Sequence, residues 1–239
     1  HRQTAKLLKR AARIASVAIG LLAILFVTYE LSVLVRLWWW TDHNPSSSAF
    51  MEARFETLQE KRGTKVRLKH EWVPYQKISP HLKRALIAAE DSRFLDHEGF
   101  DWDGIERAME KNLKEGEIVA GGSTISQQLA KNLFLSARRT PWRKAQEALI
   151  TVMMERLMSK RRILEIYMNV IEWGDNVFGA EAAARHYFNV SAQNLSDAQA
   201  ARLAAMVPKP RFYDRNRNTS WLSRKTQIIL ARMPLVAVP

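Results

Sequence analysis

The chain has 239 residues, 47% of them hydrophobic, with nine glycines, eight prolines and a formal net charge of +13. That is enough for one or two domains with a buried core, and too apolar for a disordered chain. With no cysteine there is no disulfide framework, thiolate zinc site or Cys nucleophile, while the positive charge suits phosphate on nucleic acid, anionic lipid or a pyrophosphate alike.

The sequence begins at His1 rather than Met, so its first residue is treated as a boundary within a longer protein. Arg2, Lys6, Lys9, Arg10 and Arg13 form a basic flank, residues 1–13, before any acid appears. Sixteen uncharged residues then run from Ile14 to Tyr29, and with Glu30 as the one interruption the apolar stretch reaches Val35. About 20 residues cross a bilayer, so residues 14–37 are expected to be a transmembrane helix. The basic flank places the N-terminus in the cytoplasm, and Trp38, Trp39 and Trp40 supply an aromatic interfacial belt on the far side. Glu30 lies near that end, within reach of the interface. A signal peptide would show a small-residue cleavage site, and a buried core helix rarely has so one-sided a flank.

Residues 38–64 read as a linker and juxtamembrane helix: TDHNPSSSAF is polar and Ser-rich, and MEARFETLQEKRG is a short amphipathic helix ended by Gly63. KVRLKHEWVPYQKIS alternates polar and apolar residues around Pro74 and is expected to be extended, with a small hairpin. From Ser79 the signals are helical. Ser79 caps SPHLKRALIAAED with Pro80 at its first position, and Thr140 with Pro141 repeats the device in TPWRKAQEALITVMMERLM. Ser159 opens KRRILEIYMNVIE, GAEAAARHYF follows, Ser196 and Gln199 form a capping box before SDAQAARLAAMV, and WLSRKTQIILARM comes last. No strand series is expected beyond Ser79. Residues 65–239 therefore read as one mainly α domain on a single anchor.

Three segments carry chemistry. EDSRFLDHEGFDWDG, residues 90–104, gathers six carboxylates in a basic chain. Glu90 ends a helix with Phe94 one turn on, and a carboxylate desolvated beside an aromatic has a raised pKa suited to proton transfer. Asp91, Asp96 and Asp103 taken singly are better explained as caps and solvated acids. In GGSTISQQLAKN, residues 121–132, two glycines permit close backbone approach and Ser123 or Thr124 opens a helix whose free N–H groups attract anions. Thr124, Gln127, Gln128 and Lys131 share one face of it. Arg138, Arg139, Arg143 and Lys144 then precede Glu147 with no intervening acid. Cation before acid is the weaker order for helix stabilisation, so a cavity for a diphosphate explains the cluster better. A carboxylate base and a cationic leaving-group site together describe glycosyl transfer from a diphosphate donor.

EDSRFLDHEGFD, GGSTISQQLAKN, RKAQE and SKRRILEIYMN resemble, in order and spacing, the successive motifs of the bacterial peptidoglycan glycosyltransferases, over roughly residues 65 to 235. The resemblance implies a lysozyme-like, largely helical domain on the outer face of the cytoplasmic (inner) membrane, polymerising lipid II. Glu90 matches the catalytic base, and Glu147 the second glutamate, implied either to help hold a divalent cation (Mg or Mn) or to orient the basic residues. Lys131 and Arg139 match pyrophosphate positions, with Arg143 and Lys144 supporting them. Ser123, Thr124, Gln127 and Gln128 match the donor-site helix, and Asp91, Phe94 and His97 the first motif. Lipid II, the growing glycan strand and the bilayer are the implied partners, with room for other cell-wall synthesis and division proteins and none for nucleic acid. Ser126 and Ala120 are modest departures from the family pattern, and Lys209 and Arg215 depart from it in a way that touches only the geometry of their loop. No Ser-x-x-Lys or Lys-Thr-Gly occurs, so a penicillin-binding transpeptidase domain is not expected. A lysozyme-like glycan-cleaving enzyme is the alternative, although it has no need of the cations. The polar stretch 103–122 is expected to move over the cleft.

Overall fold

The computed structural model describes residues 2–63, 66–116, 121–138 and 140–239. Helix α1 (Arg2–Trp39) is continuous. Its segment Leu8–Trp39 is apolar and long enough to cross a membrane, and almost all of it is exposed, unlike the core helix of a soluble protein. Its last turns behave differently, because Val33 and Leu37 are fully buried in the main core.

Residues 41–48 are less free than their Ser-rich composition suggests. Arg162 donates from Nε to the Trp40 carbonyl at 2.9 Å and from Nη2 to His43 O and Asn44 Oδ1 at 2.7 and 3.0 Å. Ser48 then caps α2 (Ala49–Arg62), which ends at Gly63 with φ of 81°. Strand β1 (Lys69–His70) does not form a hairpin with its neighbours; it pairs in parallel with β3 (Val177–Phe178), which pairs antiparallel with β2 (Glu172–Gly174). The β2–β3 hairpin lies where the sequence signals were helical. Asn176, with φ of 66°, makes the turn, and each strand is too short to show an alternating pattern.

The cap signals are met. Ser79 Oγ accepts from His81 N at the start of α3 (Pro80–Glu90), and Thr140 from Arg143 N at the start of α6 (Pro141–Leu157). Ser159 caps α7 (Lys160–Val170), and the Ser196–Gln199 capping box opens α9 (Asp197–Met206). Between them lie α4 (Trp102–Glu115), α5 (Ile125–Phe134) and α8 (Ala180–Phe188), and α10 (Pro210–Arg215) and α11 (Ser220–Arg232) follow α9. Helix α4 falls in the stretch expected to be mobile; residues 117–120 of that stretch lie outside the described residues. It buries none of its side chains, leaving Trp102 and Leu113 70% and 80% exposed.

Helices α3, α9 and α11 pack together, as do α5, α6 and α7, within one continuous core. Asn169, fully buried on α7, ties the N-terminal segment to it. Its Oδ1 accepts from Val73 N, and its Nδ2 donates to Val73 O and Glu165 O, each at 2.9 Å. Asn169→Ala strands the Val73 N–H and C=O away from water, which should cost about 3 kcal/mol. That corresponds to a fall of roughly 8 °C in the thermal unfolding midpoint, and calorimetry on the full chain in detergent checks it.

Candidate active site

The end of α3 meets the start of α5 through two successive carboxylates that face different ways. Asp91 Oδ2 accepts from the Ile125 backbone N–H at 3.0 Å, and Asp91 Oδ1 lies 2.9 Å from His97 Nε2. Gly99 N–H donates to His97 Nδ1 at 3.1 Å, so Nδ1 is the acceptor and Nε2 carries the proton that Asp91 receives. Thr124 completes the joint: its hydroxyl donates to Gly99 O at 2.7 Å, and with Gln127 it forms a capping box. The N–H groups of Ile125 and Gln127 in the first turn of α5 are therefore not free for an anion. Asp91 and Thr124 occupy them, and Gln127 is turned inward and buried. The Thr-x-x-Gln spacing carried that signal. Of the two glycines, only Gly122 answers to close packing. A β-carbon there would stand 3.1 Å from Ile105 Cα, whereas one on Gly121 would meet open space.

Glu90, one residue back, reaches α5 a turn later. Gln128 Nε2 donates to Glu90 Oε2 at 2.8 Å, and Tyr167 on α7 donates its hydroxyl to Gln128 Oε1 at 2.9 Å. Tyr167 is fully buried, and burial beside Glu90 and Asp91 holds its phenol well above the ordinary value, so it remains a donor. The amide of Gln128 is thereby locked with its NH2 toward Glu90. Burial pushes the Glu90 carboxyl up from its usual value, and Asp91 adds to this, while the Gln128 hydrogen bond and the charges of Lys225 and Lys131 pull it back. Phe94 is fully buried with Lys160 Nζ 4.7 Å from its ring centroid, serving the core. The hydrogen-bonded ring next to Glu90's partner is Tyr167. Neither Tyr167 nor Lys225 stood out in the sequence, because each sits within ordinary helical apolar spacing and is brought to Glu90 by packing.

Glu147 is buried on α6 and bound on both oxygens: Arg143 Nη1 donates to Oε2 at 2.8 Å and Lys144 Nζ to Oε1. Lys144 also donates to Ser123 Oγ at 3.3 Å. A resident divalent cation does not fit this arrangement. Both Glu147 oxygens are taken by cations, and the described residues hold no group of three acids or histidines arranged to ligate an ion. Arg143 keeps one buried donor, Nε, without a hydrogen-bond partner among the described residues.

These groups line two adjoining cavities. Ser123, Gln128, Lys131, Thr140, Arg143, Lys144 and Glu147 surround one of about 440 Å³. Glu90, Asp91, Ser123, Thr124, Arg107 and Arg232 are among those around a second of about 190 Å³. Ser123 lines both, and Gln128 in the first holds Glu90 in the second. Arg139 lies outside the described residues.

The transglycosylase family profile matches residues 56–234, and the chain belongs to that family. It is 65% identical over 218 residues to a biosynthetic peptidoglycan transglycosylase of Nitrosospira multiformis, an alignment covering 91% of this chain and 94% of the relative. Proteins of the same name from Methylobacillus flagellatus and Chromobacterium violaceum are each 64% identical, over 90% of this chain and 94% and 93% of theirs.

Because the folded Glu90 holds its proton to a higher pH than the unfolded chain does, its ionisation costs stability once the pH rises past the ordinary carboxylate range. Glu90→Gln should therefore raise the unfolding midpoint by a few degrees at neutral pH. The gain should vanish as the pH falls below the unfolded carboxylate pKa, and melting curves across pH read it directly.

Proposed function

We propose that this peptidoglycan glycosyltransferase polymerises lipid II into β-1,4-linked glycan, with Glu90 as general base and the α5–α6 cavity as the site of the donor's pyrophosphate. The observation that carries the proposal is the juxtaposition of Glu90, its pKa raised by burial and its carboxylate held by Gln128, with a cavity lined by Lys131, Arg143 and Lys144. Glu90 takes the proton of the acceptor's 4-hydroxyl as that oxygen attacks the donor's anomeric carbon. The bond from that carbon to the pyrophosphate oxygen breaks, its electron pair leaves with undecaprenyl pyrophosphate, and the anomer inverts. A leaving diphosphate needs charge neutralisation more than protonation, which cations supply and a single acid does not.

Glu147 fits the second of its two expected roles, orienting the basic residues. It compensates Arg143 and Lys144 where two adjacent cations would otherwise repel, and leaves the Arg143 Nε–H for a phosphate oxygen. Asp91 and His97 hold the joint between α3 and α5 and do not exchange protons with substrate. Ser123 stands between the cavities, at the level of the reacting bond. The single apolar helix anchors residues 65–239 to the inner membrane with residues 1–13 in the cytoplasm, so donor, growing strand and bilayer meet at one surface.

A raised Glu90 would also suit the general acid of a glycan-cleaving enzyme. Labelled lipid II separates the two, since polymer formation supports transfer, and release of fragments from finished glycan with lipid II untouched would overturn it. Glu90→Gln keeps the shape and removes the base, so polymerisation should fall by about a thousandfold with the fold intact. Wild-type turnover in that variant would remove Glu90 from the role. The acid limb of kcat/KM should lie above the ordinary carboxylate range. Gln128→Leu, which removes a hydrogen bond favouring the ionised form, should move that limb to higher pH still.

A further inference from the structure

Glu30 is the one acid in the apolar stretch from Ile14 to Val35, and it does not turn outward to the interface. Gln146 Nε2, on α6 and 116 residues away, donates to Glu30 Oε1 at 2.7 Å. The second oxygen, Oε2, is buried with no hydrogen-bond partner among the described residues. Phe26, Glu30, Val33 and Leu37 follow one another at spacings of four, three and four, so they share a face of α1. Along that face the Phe26 ring lies 6.0 Å from Trp142, one turn before Gln146 on α6, and Val33 and Leu37 are fully buried.

Apolar packing already holds α1 in place, through the contact of Phe26 with Trp142 on α6 and the burial of Val33 and Leu37 in the core. A carboxylate at this depth is costly and adds what packing lacks, a directional bond that fixes one axial and rotational register between the helices. A slip by one residue would move α6 by about 1.5 Å along α1 and turn it by about 100°. Gln146 is the residue before Glu147, and Arg143 and Lys144 lie within the preceding turn. The depth of α1 is set by its apolar length and its tryptophans. Its register against α6 therefore sets the height at which the cations meet a diphosphate fixed at the membrane surface.

We propose that Glu30 is a positioning residue that, through Gln146, holds the cationic turn of α6 at the depth of the lipid-linked donor. It acts on the donor site without touching substrate, and it makes the anchor part of the active site. If the α6 cavity takes the donor diphosphate, as proposed above, disrupting the pair raises KM for lipid II and spares the chemical step.

The test uses the full chain in lipid nanodiscs, with steady-state polymerisation of lipid II by Glu30→Leu, Gln146→Leu, the double variant, Glu30→Gln and Lys131→Ala, each checked for a cooperative melt. Glu30→Leu and Gln146→Leu should each raise KM by about tenfold, as expected for loss of a buried hydrogen bond, with kcat changed by less than about twofold. The double variant should be no worse than either single one, because one bond is lost in all three. Glu30→Gln keeps an acceptor oxygen for Gln146 and should recover most of the wild-type KM. Wild-type KM in Gln146→Leu, or single effects that multiply in the double variant, would overturn the proposal. Should Glu30→Leu not fold, Gln146→Leu and Glu30→Gln decide by the same criteria. A raised KM in Lys131→Ala with an unchanged one in Gln146→Leu would sink the coupling alone. An unchanged KM in Lys131→Ala would remove the donor-site assignment, and the coupling with it.

Discussion

Asp91 has two carboxylate oxygens and spends both inside the protein, one on the imidazole of His97 and one on the first N–H of α5. This joint fixes the end of α3 against the start of α5, and the positions of the reactive groups follow from it. With Asp91, the residue that follows α3, fastened to the first turn of α5, the last residue of α3, Glu90, meets the next turn at Gln128. Tyr167 then sets the orientation of Gln128 from a third helix, and a buried phenol is suited to this because it has no competing water. The outcome is a part-exposed carboxylate on the wall of a cavity, with Gln128 as its hydrogen-bond donor among the described residues and a pKa that burial raises.

The second half of the site solves the opposite electrostatic problem. Cations must be kept close together and close to a carboxylate that they should not neutralise outright. Glu147 satisfies the first demand by accepting from Arg143 and Lys144 on separate oxygens. Lys131 and Glu90 line separate cavities that meet at Ser123, and the charges of Lys225 and Lys131 pull the Glu90 carboxyl down against its burial. The acidic segment around residue 90 and the basic one before residue 147 are thus the two sides of one charge-separated cleft. The strongly positive balance of the chain suits a partner that brings its own negative charge.

The anchor belongs to this design as well. A transmembrane helix joined by a loose Ser-rich linker would let the domain ride at any height or tilt. Here Arg162 binds the turn after α1, the last turns of α1 enter the core, and Glu30 meets α6. Helix α4 has no fully buried side chain and leaves Trp102, Met109 and Leu113 exposed.

The sequence determined what short-range chemistry decides. Ser79–Pro80, Thr140–Pro141, Ser159 and Ser196–Gln199 mark helix starts because a cap involves residues three apart, and the anchor is legible because hydrophobic length is a local property. Glu90, Lys131, Arg143, Lys144 and Glu147 could be singled out in the sequence as candidates, since the residue types suited to base and diphosphate chemistry are few. Other features needed the fold. The β2–β3 hairpin is too short for a periodicity, and Thr124 and Gln127, read as ligand-facing, serve a cap whose local signal was overshadowed by the motif around it. That Tyr167 orients Gln128, that Lys225 bears on Glu90, and that Glu30 finds Gln146 across 116 residues are facts of helix packing. Hydrogen bonds between side chains on different helices depend on distances of a few tenths of an ångström, and only the assembled core sets those.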